Sequence, residues 1–357
     1  MTYCTLFDKN YLDKGIVMID SLQKYDRTAE IFVLCMDDFC KYVLDDYYQG
    51  KVFTIALPDF EDDELLSIKE KRSAGEYCWT CTAKLIKYVI ERFDKASCTY
   101  VDSDLCFYSD PKILIDEMRA ENCSVQLVSH RFLDNKDGRR RMDASGRNCV
   151  QFNTFDNSPK SMELLDSWIK QCLEECSVEN IGDQKYTDGW GELDFVNVTE
   201  NIGAGIAPWN LHRYKMVDNE ELTVFDRYDK KSAKIVFYHY QNVINLDRMT
   251  IRLNAVLENK YLDKEFIKIL YIPYLYELEK IKRIIEKRYN FLPLITKYIS
   301  EKDNGGFMAS LKRNKDISFG EFCLKVYNRI YNKILTISRK KIFIIKLEDG
   351  RVNDGSD

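Results

Sequence analysis

The chain has 357 residues, of which 45% are hydrophobic and 31% charged. That balance suits a folded globular chain and excludes extended disorder, and the length can bury one large core with an appendage or two modest cores. A formal net charge of -5 excludes a general nucleic-acid binder, which would carry a basic footprint.

Met1-Thr2-Tyr3-Cys4-Thr5-Leu6-Phe7-Asp8 has neither the basic flank nor the apolar run of a cleaved signal peptide. No stretch approaches the roughly 18 apolar residues of a membrane span, so the expected location is the cytoplasm. Residues 2–7 predict a short buried strand, followed by polar Asp8-Lys9-Asn10 and a helix from about Lys14 to Tyr25. Ile31 to Met36 predicts a second strand, ending in Asp37-Asp38, two acids that read as dipole-favoured first-turn residues of a helix. Val52 to Leu57 predicts a third strand, the pattern over 76–93 a helix, and Cys98 to Val101 a fourth strand. Strands separated by helices predict parallel pairing in an α/β sheet. Ligands of such sheets sit beyond the carboxyl ends of the strands, which is where Asp8 and Asp102 fall.

Twelve cysteines are scattered along the chain, many inside apolar runs (Cys4, Cys35, Cys98, Cys106), as reduced buried thiols would be. Cys78-Trp79-Thr80-Cys81 has no second pair nearby to complete a four-ligand zinc site. One helical turn apart, the two thiols are expected to pack.

Further on, Val125 to His130 and Cys149 to Asn153 predict strands around a charged loop, Asp134 to Arg147. Residues 158–177 predict a helix, Asn201 to Asn210 a loop containing Gly and Pro, and Ile235 to His239 a late strand. From about residue 250 the pattern is mainly helical. Between Gly306 and Leu347, ten basic residues face only Asp316 and Glu321, while Phe322, Val326, Ile330, Ile334 and Ile337 recur at helical spacing. Such a segment either lies on an anionic membrane near lipid-linked acceptors or packs on its own protein with its lysines in water.

Tyr100-Val101-Asp102-Ser103-Asp104 sets two carboxylates one residue apart, directly after an apolar strand. In extended backbone, residues i and i+2 point to the same side, so both can converge on a hard divalent cation. A turn rich in Asp and Ser has the same look, but two carboxylates at a buried strand end would repel without a cation.

Asp102-Ser103-Asp104, followed by Phe107 and Asp110-Pro111, resembles the DxD region of GT-A-fold glycosyltransferases of the glycogenin and bacterial lipopolysaccharide galactosyltransferase type. Five other segments agree in order. Leu6-Phe7-Asp8-Lys9-Asn10-Tyr11 resembles that family's first strand and loop, Phe152-Asn153-Thr154-Phe155 its Asn-containing segment, and Gly182-Asp183-Gln184 its DQ motif. Gly203 to Asn210 and Tyr238-His239-Tyr240-Gln241 resemble its late loop and metal-binding histidine segment.

The resemblance implies a Rossmann-like, mixed and mostly parallel sheet flanked by helices. The catalytic domain would span 1–250, and 251–357 would be a mainly helical extension. Asp102, Asp104 and His239 would bind Mn2+ or Mg2+ bridging the diphosphate of a UDP-sugar. Leu6, Asp8, Asn10 and Tyr11 would enclose uracil and ribose, with Ser103 and Gln241 also on the donor. Asn153, Asp183 and Gln184 would lie beside the donor sugar, the last two near the reacting carbon, and Lys84 would contact phosphate or sugar hydroxyls. The implied reaction is retaining transfer of a hexose to a saccharide or lipid-linked acceptor in surface polysaccharide synthesis, at the inner face of the membrane.

The chain also departs from the pattern. After His239 it reads Tyr240-Gln241-Asn242-Val243-Ile244, without the family's Lys-Pro-Trp, so a lysine contact from that segment cannot be carried over. Two alternatives stand beside the transferase. A sugar-1-phosphate nucleotidyltransferase would want a glycine-rich basic loop after the first strand, which Leu6 to Tyr11 is not. A non-catalytic nucleotide-sugar-binding protein would bind without turnover. Of the other residues, His130-Arg131-Phe132 and Trp209 are expected to be structural, and Asp188 and Asp194 solvated or capping.

Overall fold

Strand β1 (Thr2–Phe7) sorts its side chains to two cores: Tyr3 and Phe7 join one, Cys4 and Leu6 the other. β2 (Glu30–Cys35) repeats the alternation, with Ile31, Val33 and Cys35 on the first side and Phe32 and Leu34 on the second. Strands covered on both faces have no polar side, which is why they read as unbroken apolar runs in the sequence. The computed structural model describes residues 1–178, 182–245, 250–253, 264–293, 344–348 and 351–353.

Between these strands runs α1 (Leu12–Tyr25), and α2 (Asp38–Tyr48) leads to β3 (Phe53–Ala56). Asp38 lies in the first turn of α2, as expected, while Asp37 sits one step earlier as its cap, accepting from the Cys40 amide at 2.8 Å. Short helices α3 (Leu57–Phe60) and α4 (Asp63–Lys69) precede α5 (Ala74–Arg92), whose start is closed by a capping box between Ser73 and Glu76. β4 (Ser97–Val101) and β5 (Leu105–Phe107) flank the Asp102-Ser103-Asp104 turn. Then come α6 (Lys112–Ala120), β6 (Val125–Ser129), α7 (Lys136–Ser145), β7 (Asn148–Asp156), α8 (Pro159–Glu174) and β8 (Val196–Val198).

Seven strands make one sheet in the order β3-β2-β1-β4-β7-β6-β8. β3, β2, β1 and β4 pair in parallel, as do β6 and β8, while β7 runs antiparallel to both its neighbours. This is the mixed, mostly parallel sheet expected from the sequence. Its two faces are covered by α1, α2 and α6 on one side and by α5 and α8 on the other.

The stretch read as a charged loop differs: Lys136 to Ser145 is helix α7, capped by the Asn135 side chain on the Gly138 amide at 2.9 Å. Arg140 and Arg141 both pair with Asp137. Only Gly138 of this helix is buried, so it has no apolar stripe for a periodicity argument to find.

Beyond the sheet, β9 (Tyr214–Asp218), β10 (Thr223–Asp226) and β11 (Ser232–Lys234) form an antiparallel meander, and β12 (Phe237–His239) pairs antiparallel with β5. A helix over Ile272–Tyr289, entered through a π-helical turn at Ile267–Tyr271, packs its Leu275, Leu278, Ile281 and Ile285 into the same core as α1. Tyr274 stacks on Tyr240 at 3.6 Å, and the Tyr240 hydroxyl donates to the Leu270 carbonyl at 2.9 Å. Strands at Ile344–Glu348 and Arg351–Asn353 extend a small sheet with Thr250–Arg252. Most of the basic segment over 306–347, and the amphipathic helix expected there, lies outside the described residues.

Candidate active site

The parallel strands deliver their carboxyl ends to one edge, and three side chains meet there. Asp102 leaves β4, its amide donating to the Gln151 carbonyl at 3.1 Å, and a turn closed by Leu105 N–H on the Asp102 carbonyl brings Asp104 back beside it. The pairing of β12 with β5 sets His239 opposite Leu105, and the Tyr240 amide donates to the Asp104 carbonyl at 2.9 Å. One ligand atom each from Asp102, Asp104 and His239 therefore falls within 4.8 Å of the others. His239 Nε2 is 3.0 Å from Asp104 Oδ1 and 3.9 Å from Asp102 Oδ2.

The electrostatics of the cluster are those of acids and a base forced together. Burial and the neighbouring Asp104 charge push Asp102 up to about 7, against the pull of His239. Burial also acts to raise Asp104, but His239 and the Lys14 ammonium outweigh it and hold that carboxyl below its usual range. His239 is raised because the two carboxylates favour its charged form more than burial opposes it. Two oxygen donors and one imidazole nitrogen form a donor set that fits a divalent cation.

His239 is held from behind. Its Nδ1 lies 3.0 Å from Gln151 Oε1 and its ring meets Trp209 edge-on at 5.2 Å. Trp209 in turn donates to the His130 carbonyl, and His130 stacks on Phe132. Burial drives His130 down to about 3, so it is a neutral packing residue, as the sequence suggested. Arg131 ties the 199–204 loop through the carbonyls of Thr199, Asn201 and Ala204. Gln151 was not foreseen: a glutamine in a strand carries no sequence signal that its amide will face a histidine 88 residues away.

Around this cluster lie most of the other candidates. The Asp8 carboxylate accepts from the Asn10 amide and from Asn10 Nδ2, both at 2.9 Å, fixing the turn after β1. Tyr11, 36% exposed, comes within the field of Asp104 and Asp8, which with burial raise its hydroxyl pKa. Asn153 is fully buried, and neither end of its amide has a hydrogen-bond partner. Asp183 is buried, with its carbonyl held by Trp168 Nε1 at 2.9 Å. Burial, Cys176 and Asp102 raise its pKa well above the carboxylate range. Gln184 follows it, half-buried, its amide on Asp183 Oδ1 at 2.8 Å.

The remaining candidates have other surroundings. Lys84 is paired with Asp62 and reaches Glu64 at 3.9 Å, rather than presenting a free ammonium. Leu6 is buried in the core on the α5 side, and Gln241 is exposed. Ser103 sits half-buried in the turn between the two acids. Cys78 and Cys81 lie on α5 and the described cysteines form no disulfide. Burial raises both thiols, Cys78 to about 12, which makes them poor redox nucleophiles. Asp188 accepts from the Arg147 amide at 2.6 Å, and exposed Asp194 pairs with Lys160.

The sequence matches no protein-family model. It is 28% identical over 289 residues to the uncharacterized protein YfnD of Bacillus subtilis, covering 78% of this chain and 88% of that one. It is 26% identical over 315 residues to the uncharacterized YfnF of the same organism, covering 85% and 98%. In structure the chain is similar to the galactosyltransferase LgtC in complex with donor and acceptor sugar analogs, at 12% identity and a TM-score of 0.46 over 76% of this chain and 100% of that one. It is similar also to mouse xyloside xylosyltransferase 1, at 12% identity and a TM-score of 0.44 over 68% and 98%. No helix among the described residues is long and apolar enough to cross a membrane.

Proposed function

We propose that this chain is a metal-dependent GT-A-type glycosyltransferase that moves a hexose from a UDP-sugar to a saccharide or lipid-linked acceptor. The observation that carries the reading is the convergence of Asp102, Asp104 and His239 at the carboxyl edge of the sheet. Two acids and a buried imidazole held in contact are costly unless a proton or a metal ion lies between them. When bound, Mn2+ or Mg2+ would supply Lewis-acid stabilisation of the charge that grows on the leaving diphosphate.

The chain's own residues would do the rest. Asp8 and Asn10, locked to each other, present a fixed rim against base and ribose, and Tyr11 offers a ring for stacking. Asn153 brings a buried amide whose donor and acceptor are both unspent, suited to sugar hydroxyls. Asp183 and Gln184 offer oxygens beside an oxocarbenium-like carbon. Retention of configuration rests on the sequence resemblance.

Incubation with UDP-glucose, UDP-galactose and their N-acetyl forms should give Mn2+-dependent UDP release with at least one of them. Asp104→Ala should abolish that release while keeping the wild-type circular dichroism. Full activity in Asp104→Ala would refute the metal assignment.

A further inference from the structure

Lys14 stands in the first full turn of α1, where a lysine ordinarily faces water. Here it is 2% exposed, and its Nζ has no hydrogen-bond partner. The ammonium lies 4.5 Å from the centre of the Tyr11 ring, a cation–π contact that offsets only part of the lost hydration. Its charge also acts on the Asp104 carboxylate, which places it beside the cluster. A buried ammonium with no hydrogen-bond partner is expensive, and evolution commonly tolerates such a group where a ligand completes it.

It is not alone. Gln151 Nε2, both amide atoms of Asn153 and the Tyr274 hydroxyl are also buried without partners. Gln151 holds His239, and Tyr274 lies within the field of Asp104. Unsatisfied buried polar atoms are few in native proteins. Others lie elsewhere in the molecule, but those of Lys14, Gln151 and Tyr274 adjoin the carboxylate cluster, where a polar ligand would meet them.

Charge says what kind of ligand. A divalent cation between Asp102 and Asp104 leaves that pair neutral, and the buried Asp13 carboxylate takes the Lys14 backbone amide rather than its ammonium, which therefore has no bonded anion. The acids are then already engaged, and the group that would satisfy the ammonium is an anion. We infer that Lys14 binds the diphosphate of the donor, reaching a phosphate oxygen from beneath Tyr11 on the α1 side of the site. This deepens the donor reading above and rests on it. The same ring would then serve two ends of one ligand, its exposed face the base and its inner face the ammonium. Because the leaving nucleoside diphosphate gains negative charge as the sugar departs, the contact strengthens as the reaction proceeds.

The test is titration calorimetry with Mn2+ alone, and with UDP, uridine and inorganic pyrophosphate each in the presence of Mn2+, on the full chain and on Lys14→Met and Lys14→Arg. Lys14→Met should weaken UDP by about tenfold or more, the loss of one charge-assisted hydrogen bond. It should leave uridine unchanged and Mn2+ alone equal or tighter, since a positive charge beside Asp104 is gone. Its melting temperature should be equal or higher, because a buried ammonium without a bonded anion has been removed, and Lys14→Arg should recover part of the UDP affinity. If Lys14→Met binds UDP as wild type does, or weakens uridine as much as UDP, Lys14 is only a counter-ion or packing residue and the inference fails. A variant that melts several degrees lower overturns it too. Wild-type protein that binds pyrophosphate through Lys14 but not UDP would keep the anion contact and remove the nucleotide donor. Wild type that binds neither removes both.

Discussion

His239 Nδ1 lies 3.0 Å from Gln151 Oε1 while Nε2 faces Asp104 Oδ1 at 3.0 Å. With the Gln151 oxygen accepting, Nδ1 carries the proton and the Nε2 lone pair is turned toward two carboxylates. Three acceptors cannot share that space unless a proton or a metal ion lies between them. In that arrangement Gln151 holds the tautomer that can ligate. Gln151→Leu should keep the fold and weaken Mn2+ binding by roughly 10–100-fold, the usual effect of losing the partner that orients a ligating imidazole. Calorimetric titration checks it, and unchanged affinity would mean that Trp209 alone fixes the ring.

The proton and the ion compete for one place, which fixes the sign of a pH dependence. Asp102 is raised to about 7 and His239 is raised by the two carboxylates, so below neutrality the cluster holds protons that a cation must displace. Apparent Mn2+ affinity should therefore rise as pH goes from about 6 to about 8, with protons released on binding. Repeating the titration in buffers of different ionisation enthalpy measures that release directly. A pH-independent affinity with no proton release would contradict the arrangement.

Gly15 on α1 connects packing to the site. A Cβ at this position would fall 2.3 Å from the Phe7 ring, so the ring occupies the space a side chain would need. Phe7 immediately precedes Asp8. Gly15→Ala gains helix propensity worth about 1 kcal/mol, but overpacking costs roughly 1–3 kcal/mol, and shifting Phe7 drags the Asp8 turn with it. We expect net destabilisation in urea unfolding together with weaker UDP binding. Stability at or above wild type with full affinity would show that the ring moves freely.

How far the sequence foretold this molecule depends on which physics spoke. β1, β2, β4 and α5 were legible because two-sided burial writes itself as apolar runs and one-sided burial as a helical stripe, and the edge strand β3, with only Ile55 buried, was legible from its apolar composition. Asp102 and Asp104 were legible because their spacing and strand-end position carry chemistry on their own. α7 was not, since its stability comes from an Asn135 cap and Asp137 ion pairs rather than an apolar face. Gln151 and Lys14 were missed for a different reason. Each looks ordinary in its own element, a polar residue in a strand and a lysine near a helix start. Only the tertiary neighbours, His239 for one and Tyr11 with Asp104 for the other, give them meaning. The stacking of Tyr274 on Tyr240 likewise joins segments that no local pattern connects.

Two buried aspartates should answer the same substitution in opposite ways. Asp226 is fully buried yet held below the usual carboxylate range. Burial opposes this, but the Tyr228 and Asp229 amides and the Arg213 guanidinium, at 2.9 Å, outweigh it. Its folded pKa lies below its unfolded one, so its contribution is present above about pH 4 and is lost as pH falls through the folded value. Asp226→Asn keeps an acceptor but gives up charge-assisted bonds, and should cost roughly 1–3 kcal/mol at neutral pH. Asp183 has the reverse shift, raised by burial, Cys176 and Asp102. The folded state there binds a proton that the unfolded state has released, so this group costs stability as pH rises above about 4. Asp183→Asn should therefore be neutral or stabilising at pH 7, while sugar transfer falls if the Asp183 oxygen supports the reacting carbon. Urea unfolding of both variants at pH 5 and pH 7 separates the two cases. An Asp183→Asn that unfolds as easily as Asp226→Asn would mean that Asp183 is ionised and paired in the folded protein.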